Sequence, residues 1–358
     1  MHFTALLSLY AKEHPDHLRQ SLASLAAQTQ PAAEILIVLD GAITPALEAV
    51  LAEFADRLPL NIIRLPENVG LGRALNHGVQ HARHEWIFRM DTDDIAAPTR
   101  FADQCAYLAA HPQTALLGGQ IAEFADTPAQ SHASRQVPQT QPEILAYAKQ
   151  RNPFNHMTVA YKKTAVQQAG GYQHHLYMED YNLWLRMLAQ GTAAANLPQT
   201  LVHARTGNAM LQRRRGQAYV QSEWQLMRLK HRLRFQAALR ETAITLNMGE
   251  KTLEKAERVG KLAPLVIAVI ASPKAGKPEW EQQMSAACAA YAIQLASQAQ
   301  GFDNVWITGL WVNSPVLQRE FECREQEKII GLIMIGTADK PGPAEPKNVD
   351  VEAFATYW

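Results

Sequence analysis

Short apolar runs alternate with helical patterns along the first part of the chain. In the intervening segments apolar residues recur every three or four positions, as at Leu18, Leu22 and Leu25. Regular alternation of strand and helix predicts an α/β domain with a mainly parallel sheet and helices on both faces. The strand-like runs occupy residues 3–10, 34–39, 60–65 and 85–90.

The fourth run ends in three carboxylates within four positions, Asp91, Asp93 and Asp94. Like charges so close repel unless a cation lies between them, and all-oxygen ligands suit Mg²⁺ or Mn²⁺ better than zinc. The alternative is a solvated acidic turn with Asp94 as N-cap of the next helix. Because ligands of such sheets bind beyond the carboxyl ends of strands, and Asp40 also follows a strand, a functional site is favoured.

Two helix starts carry further candidate residues. Gly70 and Gly72 either let the backbone approach a phosphate or form a tight turn. Arg73, in the first turn of that helix, opposes the helix dipole, and a bound diphosphate would offset this cost. Glu179 and Asp180 begin a later predicted helix, either as dipole-favoured capping residues or as a general base.

Composition narrows the class of protein. The chain has 358 residues, 47% hydrophobic residues and a formal net charge of zero, so we expect two domains and no nucleic-acid partner. Three widely spaced cysteines fit a reducing compartment. With no basic segment before the first strand and no apolar stretch of about 18 residues, we expect a cytoplasmic protein.

Residues 212–235 form a basic helical stretch. This stretch is either a solvated face or a surface for an anionic membrane, which would place the protein peripherally on the inner membrane surface. Its cations are Arg213, Arg214, Arg215, Arg228, Lys230, Arg232 and Arg234.

The character of the chain changes near Leu233. Strand-like runs at 265–271 and 329–335 flank a helical stretch, 280–301, that is rich in alanine. Small residues permit close approach of helices, as in a buried central helix or a dimer interface. An extended aromatic tail begins at Val349.

An ordered set of motifs in residues 1–232 resembles the family 2 glycosyltransferases with the GT-A fold, particularly the bacterial enzymes that extend cell-surface glycans. This resemblance implies metal-dependent, inverting sugar transfer from a nucleotide-diphosphate donor, a UDP-sugar, to a glycan or lipid-linked acceptor. The motifs are SLY (8–10), VLDG (38–41), ENVGLGRALNHG (67–78), MDTDD (90–94), NPFNHMTVAYKK (152–163), GGY (170–172) and EDYNLWLRM (179–187).

The resemblance also implies residue roles. Asp91 and Asp93 would bind the donor ribose and the metal, and Asp180 of the Glu179–Asp180 pair would be the catalytic base. His156 would lie on the acceptor side, or serve as a structural histidine. The donor-binding residues would be Ser8, Tyr10, Asp40, Arg73 and Asp91.

The second part, residues 233–358, resembles a truncated small FMN-dependent NAD(P)H nitroreductase, an α+β domain. Its matching segments are RFQAAL (234–239), WEQQMSAACAA (280–290), QAQGFDNVWITG (298–309) and CREQEKIIGLIMIGT (323–337).

This second resemblance implies that Trp306, Ile307 and Thr308 line a flavin and that Ala296 lies near NAD(P). The family's segment that grips the FMN phosphate has no counterpart in this sequence. We therefore expect a structural remnant or an oligomerisation element that forms a homodimer. Residual FMN binding with oxidoreductase activity, or a fusion product without activity in this part, are the alternatives.

Overall fold

The computed structural model describes residues 1–125, 127–206, 216–249, 251, 254 and 263–337. The chain divides into two compact units, Met1–His231 and Arg232–Trp358. The predictions for Arg213, Arg214 and Arg215 and for the tail from Val349 lie outside the described residues.

The described part of the first unit alternates strands and helices as the sequence predicts. The strands are β1 (Phe3–Leu9), β2 (Glu34–Leu39), β3 (Leu60–Arg64), β4 (Trp86–Arg89), β5 (Ile95–Ala96), β6 (Leu116–Phe124), β7 (Ala133–Arg135), β8 (Ala160–Lys162) and β9 (Ala194–Arg205). The helices are α1 (Pro15–Ala26), α2 (Pro45–Phe54), α3 (Leu71–His81), α4 (Arg100–Ala110), α5 (Gln141–Ala148), α6 (Lys163–Gln168) and α7 (Glu179–Ala189).

These strands form one sheet in the order β3-β2-β1-β4-β8-β6-β9-β5, with β7 paired to β6. Strands β1 to β4 are mutually parallel, as predicted, so β2 and β4 both end at the edge where Asp40 and Asp91 follow. Strand β8 is antiparallel to β4 and β6, and β5 is antiparallel to β9. The sheet is therefore mixed beyond β4.

Helices cover both faces of this sheet, which confirms the predicted layers. Alternate residues of β1, such as Phe3, pack in the cluster that includes α1, α2 and α4. Leu6 faces the other way, toward α3, where a Cβ on Gly78 would lie 2.4 Å from its Cδ1. Only a glycine at this position lets α3 lie so close to β1.

The second unit is built around a small antiparallel sheet, β10-β12-β11. One face of the sheet packs against helix Glu279–Ala299, which contributes Ala290. The other face packs against Leu239 and Leu317, which come from the helices before and after that one. The elements are β10 (Leu265–Ala271), β11 (Asp303–Ile307), β12 (Lys328–Gly336), α8 (Gln217–Thr245, which begins in the first unit), α9 (Glu279–Ala299) and α10 (Pro315–Glu320).

Helix α9 is not the buried central helix that its alanines suggested. Among its side chains only Ala290 and Ser297 are buried, whereas Trp280, Met284 and Tyr291 are more than half exposed. The small sheet covers one side of the helix and leaves the other to solvent. The alternative expectation, a dimer interface, stays a prediction.

Candidate functional site

The acidic turn lies at the carboxyl end of β4 and gathers three carboxylates. One oxygen from each of Asp91, Asp93 and Asp94 lies within 4.8 Å of the others. The alternative role of Asp94 as a helix N-cap is wrong, because β5 intervenes and α4 begins at Arg100. Instead, Asp94 Oδ1 accepts a hydrogen bond of 2.8 Å from the backbone amide of Arg205 on β9.

The charges of this turn fit a divalent cation. Burial, together with the neighbouring Asp91 carboxylate, raises the pKa of Asp93 to about 7. Burial and the Asp93 carboxylate raise the pKa of Asp94 well above its ordinary value. Asp94 Oδ2 is buried and has no hydrogen-bond partner among the described residues. Hard oxygen donors that repel one another and include an unpartnered buried oxygen match Mn²⁺ or Mg²⁺.

Arg89, the last residue of β4, is a buried cation beneath the acidic turn. Its side chain is 1% exposed, and its guanidinium pairs with the Asp91 carboxylate. Burial, the largest single influence, lowers the pKa of Arg89, but Asp91, Tyr172 and Asp94 together outweigh it and the pKa lies above its ordinary value. The sequence analysis missed this residue, although a charged residue inside an otherwise apolar strand was a usable signal.

The shape of the turn is held by residues distant in sequence. Arg205 Nε donates to the carbonyl of Asp93 at 3.1 Å, and Thr92 Oγ1 donates to Glu13 at 2.8 Å. Sequence reasoning missed both Arg205 and Glu13. No local pattern marks them, because Arg205 lies 112 positions from its Asp93 partner.

Asp40 organises the loop before α3. Its carboxylate accepts backbone hydrogen bonds from Val69 at 2.7 Å and Gly70 at 3.1 Å. Gly70 has φ +87°, a conformation that favours glycine. Both Asp40 carboxylate oxygens thus accept hydrogen bonds within the protein, and the residue is buried.

The other residues expected on the donor side are accessible to a ligand. Arg73 is exposed in the first turn of α3, without a hydrogen bond or ion pair among the described residues. Ser8 is half-buried at the end of β1, and the Tyr10 side chain just beyond it is 37% exposed.

Helix α3 brings this loop against the start of α7. A Cβ on Gly72 would lie 3.0 Å from the Glu179 Cβ, so the first turns of the two helices touch. Burial and the adjacent Asp180 raise the pKa of Glu179 to about 7, and Asp91 adds to this shift. Glu179 therefore belongs to the same charged group as the acidic turn.

Asp180, the expected base, is held by a hydrogen bond. Asn152 Nδ2 donates to Asp180 Oδ2 at 2.6 Å. Burial raises the pKa of Asp180, while this hydrogen bond and the charge of Arg89 act against the rise. Asn152 lies in a motif that the resemblance covered, yet its role emerged only from the structure.

His156 sits behind this pair in an aromatic group. Its Nε2 lies 3.0 Å from the Tyr172 hydroxyl, and its ring centroid is 6.0 Å from that of Trp184. Burial, reinforced by the charge of Arg89, lowers the pKa of His156 well below its ordinary value. A neutral, hydrogen-bonded imidazole suits the structural role weighed for this residue as well as the acceptor role.

The loop at Gly171 joins α3 to α7. Asn76 Oδ1 on α3 accepts from the Tyr172 amide at 3.0 Å, and Arg186 on α7 donates to the Gly171 carbonyl at 2.8 Å. Gly171 has φ +67°, and a Cβ there would lie 2.2 Å from Asn76 Oδ1. The loop that leads into Glu179 and Asp180 is thus tightly packed against α3 and α7.

In the second unit the expected flavin-lining residues are largely engaged in packing. Trp306 and Ile307 pack on opposite faces of β11, and the Trp306 Nε1 lies 1.8 Å from where a Gly331 Cβ would be. Thr308 and Ala296 are exposed. These four described residues offer one accessible hydroxyl and no cation, so they do not fit FMN and its phosphate.

Sequence comparisons agree with this geometry. The profile of glycosyl transferase family 2 matches residues 8–175. A Haemophilus influenzae protein named "Uncharacterized glycosyltransferase" is 50% identical over 239 residues, 67% of this chain and 89% of that protein. The Escherichia coli UDP-Gal:alpha-D-GlcNAc-diphosphoundecaprenol beta-1,3-galactosyltransferase is 34% identical over 221 residues, 62% of this chain and 80% of that protein.

The C-terminal part has relatives of its own. A Haemophilus influenzae protein named "Putative NAD(P)H nitroreductase" is 46% identical over 127 residues, 35% of this chain and 69% of that protein.

Among solved structures, S. aureus TarS 1–349 in complex with UDP-GlcNAc superposes with a TM-score of 0.52 at 17% identity, covering 72% of this chain and 79% of that one.

The mixed sheet with helices on both faces, and the acidic turn at the end of β4, define the first unit as a GT-A type transferase. The chain belongs to glycosyl transferase family 2 and carries a nitroreductase-related part at its C-terminus. The expected family, fold class and glycosyltransferase activity are thereby confirmed.

Proposed function

We propose that residues 1–232 form a metal-dependent, inverting glycosyltransferase that uses a UDP-sugar in the synthesis of a cell-surface polysaccharide. The observation that carries this proposal is that two clusters of acidic residues lie around Arg89. The acidic turn with Asp91 approaches from β4, and Glu179 with Asp180 approaches from α7.

The donor would bind along the edge formed by β1, β2 and α3. Ser8, Tyr10 and Asp40 would hold the nucleoside, and Arg73 would lie near the diphosphate. The Arg73 guanidinium is exposed and has no ion pair among the described residues, which supports the assignment. Asp91, Asp93 and Asp94 would hold Mn²⁺ or Mg²⁺. When bound, such an ion supplies positive charge that stabilises a diphosphate leaving group.

Asp180 would act as the general base. Its carboxylate would take the proton of an acceptor hydroxyl while that oxygen bonds to the anomeric carbon of the sugar. The bond from this carbon to the diphosphate oxygen breaks in the same displacement, so the configuration inverts. Asn152 would orient Asp180 through its hydrogen bond. Burial raises the pKa of Asp180 toward neutral pH, which suits a general base.

The acceptor would be a glycan or a lipid-linked glycan at the cytoplasmic face of the membrane, with His156 on the acceptor side. The name of the Escherichia coli relative, which acts on a diphosphoundecaprenol-linked sugar, supports this class of acceptor. No helix among the described residues is long and apolar enough to cross a bilayer.

For the second unit, residues 233–358, we propose a structural role, such as pairing two copies of the chain. The packing of Trp306 and Ile307 within the unit supports this role over flavin chemistry.

Thermal unfolding with UDP, UDP-sugars and FMN, each with and without Mn²⁺, tests the proposal. We expect UDP to stabilise the protein only when Mn²⁺ is present. Asp180→Asn should keep this stabilisation and lower transfer about 10²–10⁴-fold. Asp56→Asn, which removes one exposed carboxylate just beyond the end of α2, controls for the same change in net charge. Stabilisation by FMN but not by nucleotides would overturn the proposal.

A further inference from the structure

The first-unit portion of α8 presents an apolar face to solvent. Ser222 and Leu226 are buried on one side of the helix, where the Ser222 carbonyl lies 2.9 Å from His175 Nε2. On the opposite side, Val220, Trp224 and Met227 are 64%, 56% and 50% exposed. Their spacing of four and three residues places them in one row. We call these three residues the α8 stripe.

A cation accompanies the α8 stripe. The Arg228 guanidinium lies 4.2 Å from the centre of the Trp224 ring. From residue 217 to 231 the sequence has Arg228 and Lys230 against one acidic residue, Glu223, which gives a small excess of positive charge. Lys230 lies over the Tyr181 ring at 4.6 Å, so Arg228 is the cation beside the α8 stripe.

The apolar surface continues toward the catalytic pair. Tyr177 is 40% exposed, and its ring lies 6.0 Å from that of Tyr219 at the start of α8. The neighbouring Leu176 is 45% exposed. Only Met178 separates this exposed pair from Glu179. A surface that contacts the α8 stripe would therefore also contact Leu176 and Tyr177, in the loop that leads into Glu179.

We propose that the α8 stripe, with Leu176 and Tyr177, rests on an anionic phospholipid surface. Trp224 and its apolar neighbours suit the boundary between headgroups and acyl chains, and Arg228 suits lipid phosphate. The charge excess favours anionic lipid over neutral lipid. A second copy of the chain fits less well, because a symmetric contact between two stripes would bring the Arg228 cations of both copies together.

The inference deepens the proposed function, since it would bring a lipid-linked acceptor to Asp180, but binding to lipid can be measured without catalysis. The experiment is co-sedimentation of the full chain with vesicles of phosphatidylcholine alone or mixed with phosphatidylglycerol, at low and high salt. The stripe variant carries Val220→Ser, Trp224→Ser and Met227→Ser. The matched control carries Trp280→Ser, Met284→Ser and Tyr291→Ser, which remove three similarly exposed apolar residues from α9.

We expect the native chain and the control to bind phosphatidylglycerol vesicles, and the stripe variant to bind about tenfold or more weakly. Arg228→Gln should weaken binding at low salt and reduce its salt dependence. Absence of native binding at low salt, or equal binding by the stripe variant, would overturn the inference. So would a dimer in solution that the stripe substitutions dissociate.

The two proposals fail separately. Stabilisation by UDP with Mn²⁺ should be the same in the native chain, the stripe variant and the control, because none of the substituted residues touches the site. Absence of lipid binding by the native chain, with UDP stabilisation present, would defeat only the lipid surface. Lipid binding without any UDP stabilisation would defeat only the proposed transferase chemistry.

Discussion

Arg89 sets the charge balance of the site. It is the buried cation that faces Asp91, and its charge also acts on Asp94, Glu179 and Asp180. A buried charge needs a partner of opposite sign, since removal of one member leaves the other uncompensated in a poorly solvated place. The geometry of the acidic turn thus depends on a residue outside the D-x-D sequence itself.

We expect Arg89→Met to lower the free energy of unfolding, because the buried Asp94 and the partly exposed Asp91 lose their counter-charge. The loss should be smaller than the about 3–5 kcal/mol of a fully buried pair, since the Asp91 side chain is 30% exposed. Arg89→Lys should restore part of the loss. The double variant Arg89→Met/Asp91→Asn should lose less than the sum of the single variants. Urea unfolding in metal-free buffer measures these differences.

The control for this cycle is Arg64→Met, which removes an exposed arginine paired with Glu48. Exposed pairs contribute little, so we expect little change there. Equal effects of the Arg64 and Arg89 substitutions would contradict the proposed role of Arg89.

The carboxyl groups predict an unusual pH dependence of stability. The pKa values of Asp93 and Glu179 are raised to about 7 in the folded protein. Between their ordinary pKa values and about 7, the folded state therefore holds more protons than the unfolded state. Their contribution to stability is largest at low pH and falls as pH rises through this window.

We expect metal-free protein to lose stability between about pH 5 and pH 8, and Mn²⁺ to recover more of it at the higher pH, where the carboxylates are ionised. Thermal unfolding across this range measures both effects. Asp93→Asn and Glu179→Gln should flatten the metal-free curve. An unchanged slope in both variants would show that other groups cause it.

At the scale of elements, the contact between α3 and α7 places the loop before α3 beside Glu179 and Asp180. Gly72 permits the contact of the two first turns, and Gly171 lets Asn76 bind the loop that leads into α7. The two positions require glycine for different reasons. Gly72 leaves room for the neighbouring helix, whereas Gly171 leaves room for Asn76 and also adopts a positive φ angle.

We expect Gly171→Ala to destabilise the protein more than Gly191→Ala. Both glycines have positive φ, at a cost of about 1–2 kcal/mol for alanine, but a Cβ on Gly191 meets no atom within 4 Å. The clash with Asn76 should add about 1–3 kcal/mol. Chemical denaturation measures the difference, and equal losses would mean that Asn76 moves away without cost.

At the scale of the whole molecule, one chain joins a transferase unit to a nitroreductase-related unit. Since Trp306 and Ile307 pack in the second unit, we expect purified protein to lack the flavin absorption band and FMN not to raise the melting temperature. UDP with Mn²⁺ is the positive control in the same experiment. A yellow protein, or stabilisation by FMN alone, would contradict the structural role of that unit.

The periodic patterns by themselves determined β1 to β4 with the helices between them, α7, and β10, α9 and β12 of the second unit, together with the position of the acidic turn after β4. They did so because strand and helix periodicity is local and repeats the burial of one face. The same locality explains the errors. Alanine content alone did not reveal that α9 has one exposed side, and Asp94 was considered a helix cap because β5 is only two residues long.

Only the tertiary structure decided which charges meet. Arg205 reaches Asp93 and Asp94 from the end of β9, and Asn152 reaches Asp180 from a separate loop. The order of residues along the chain does not specify the distances between them. The pKa values of Asp93, Asp94 and Asp180 depend on burial by elements far apart in sequence. The sequence thus determined the kinds of chemical groups available, whereas packing decided their partners and their charge.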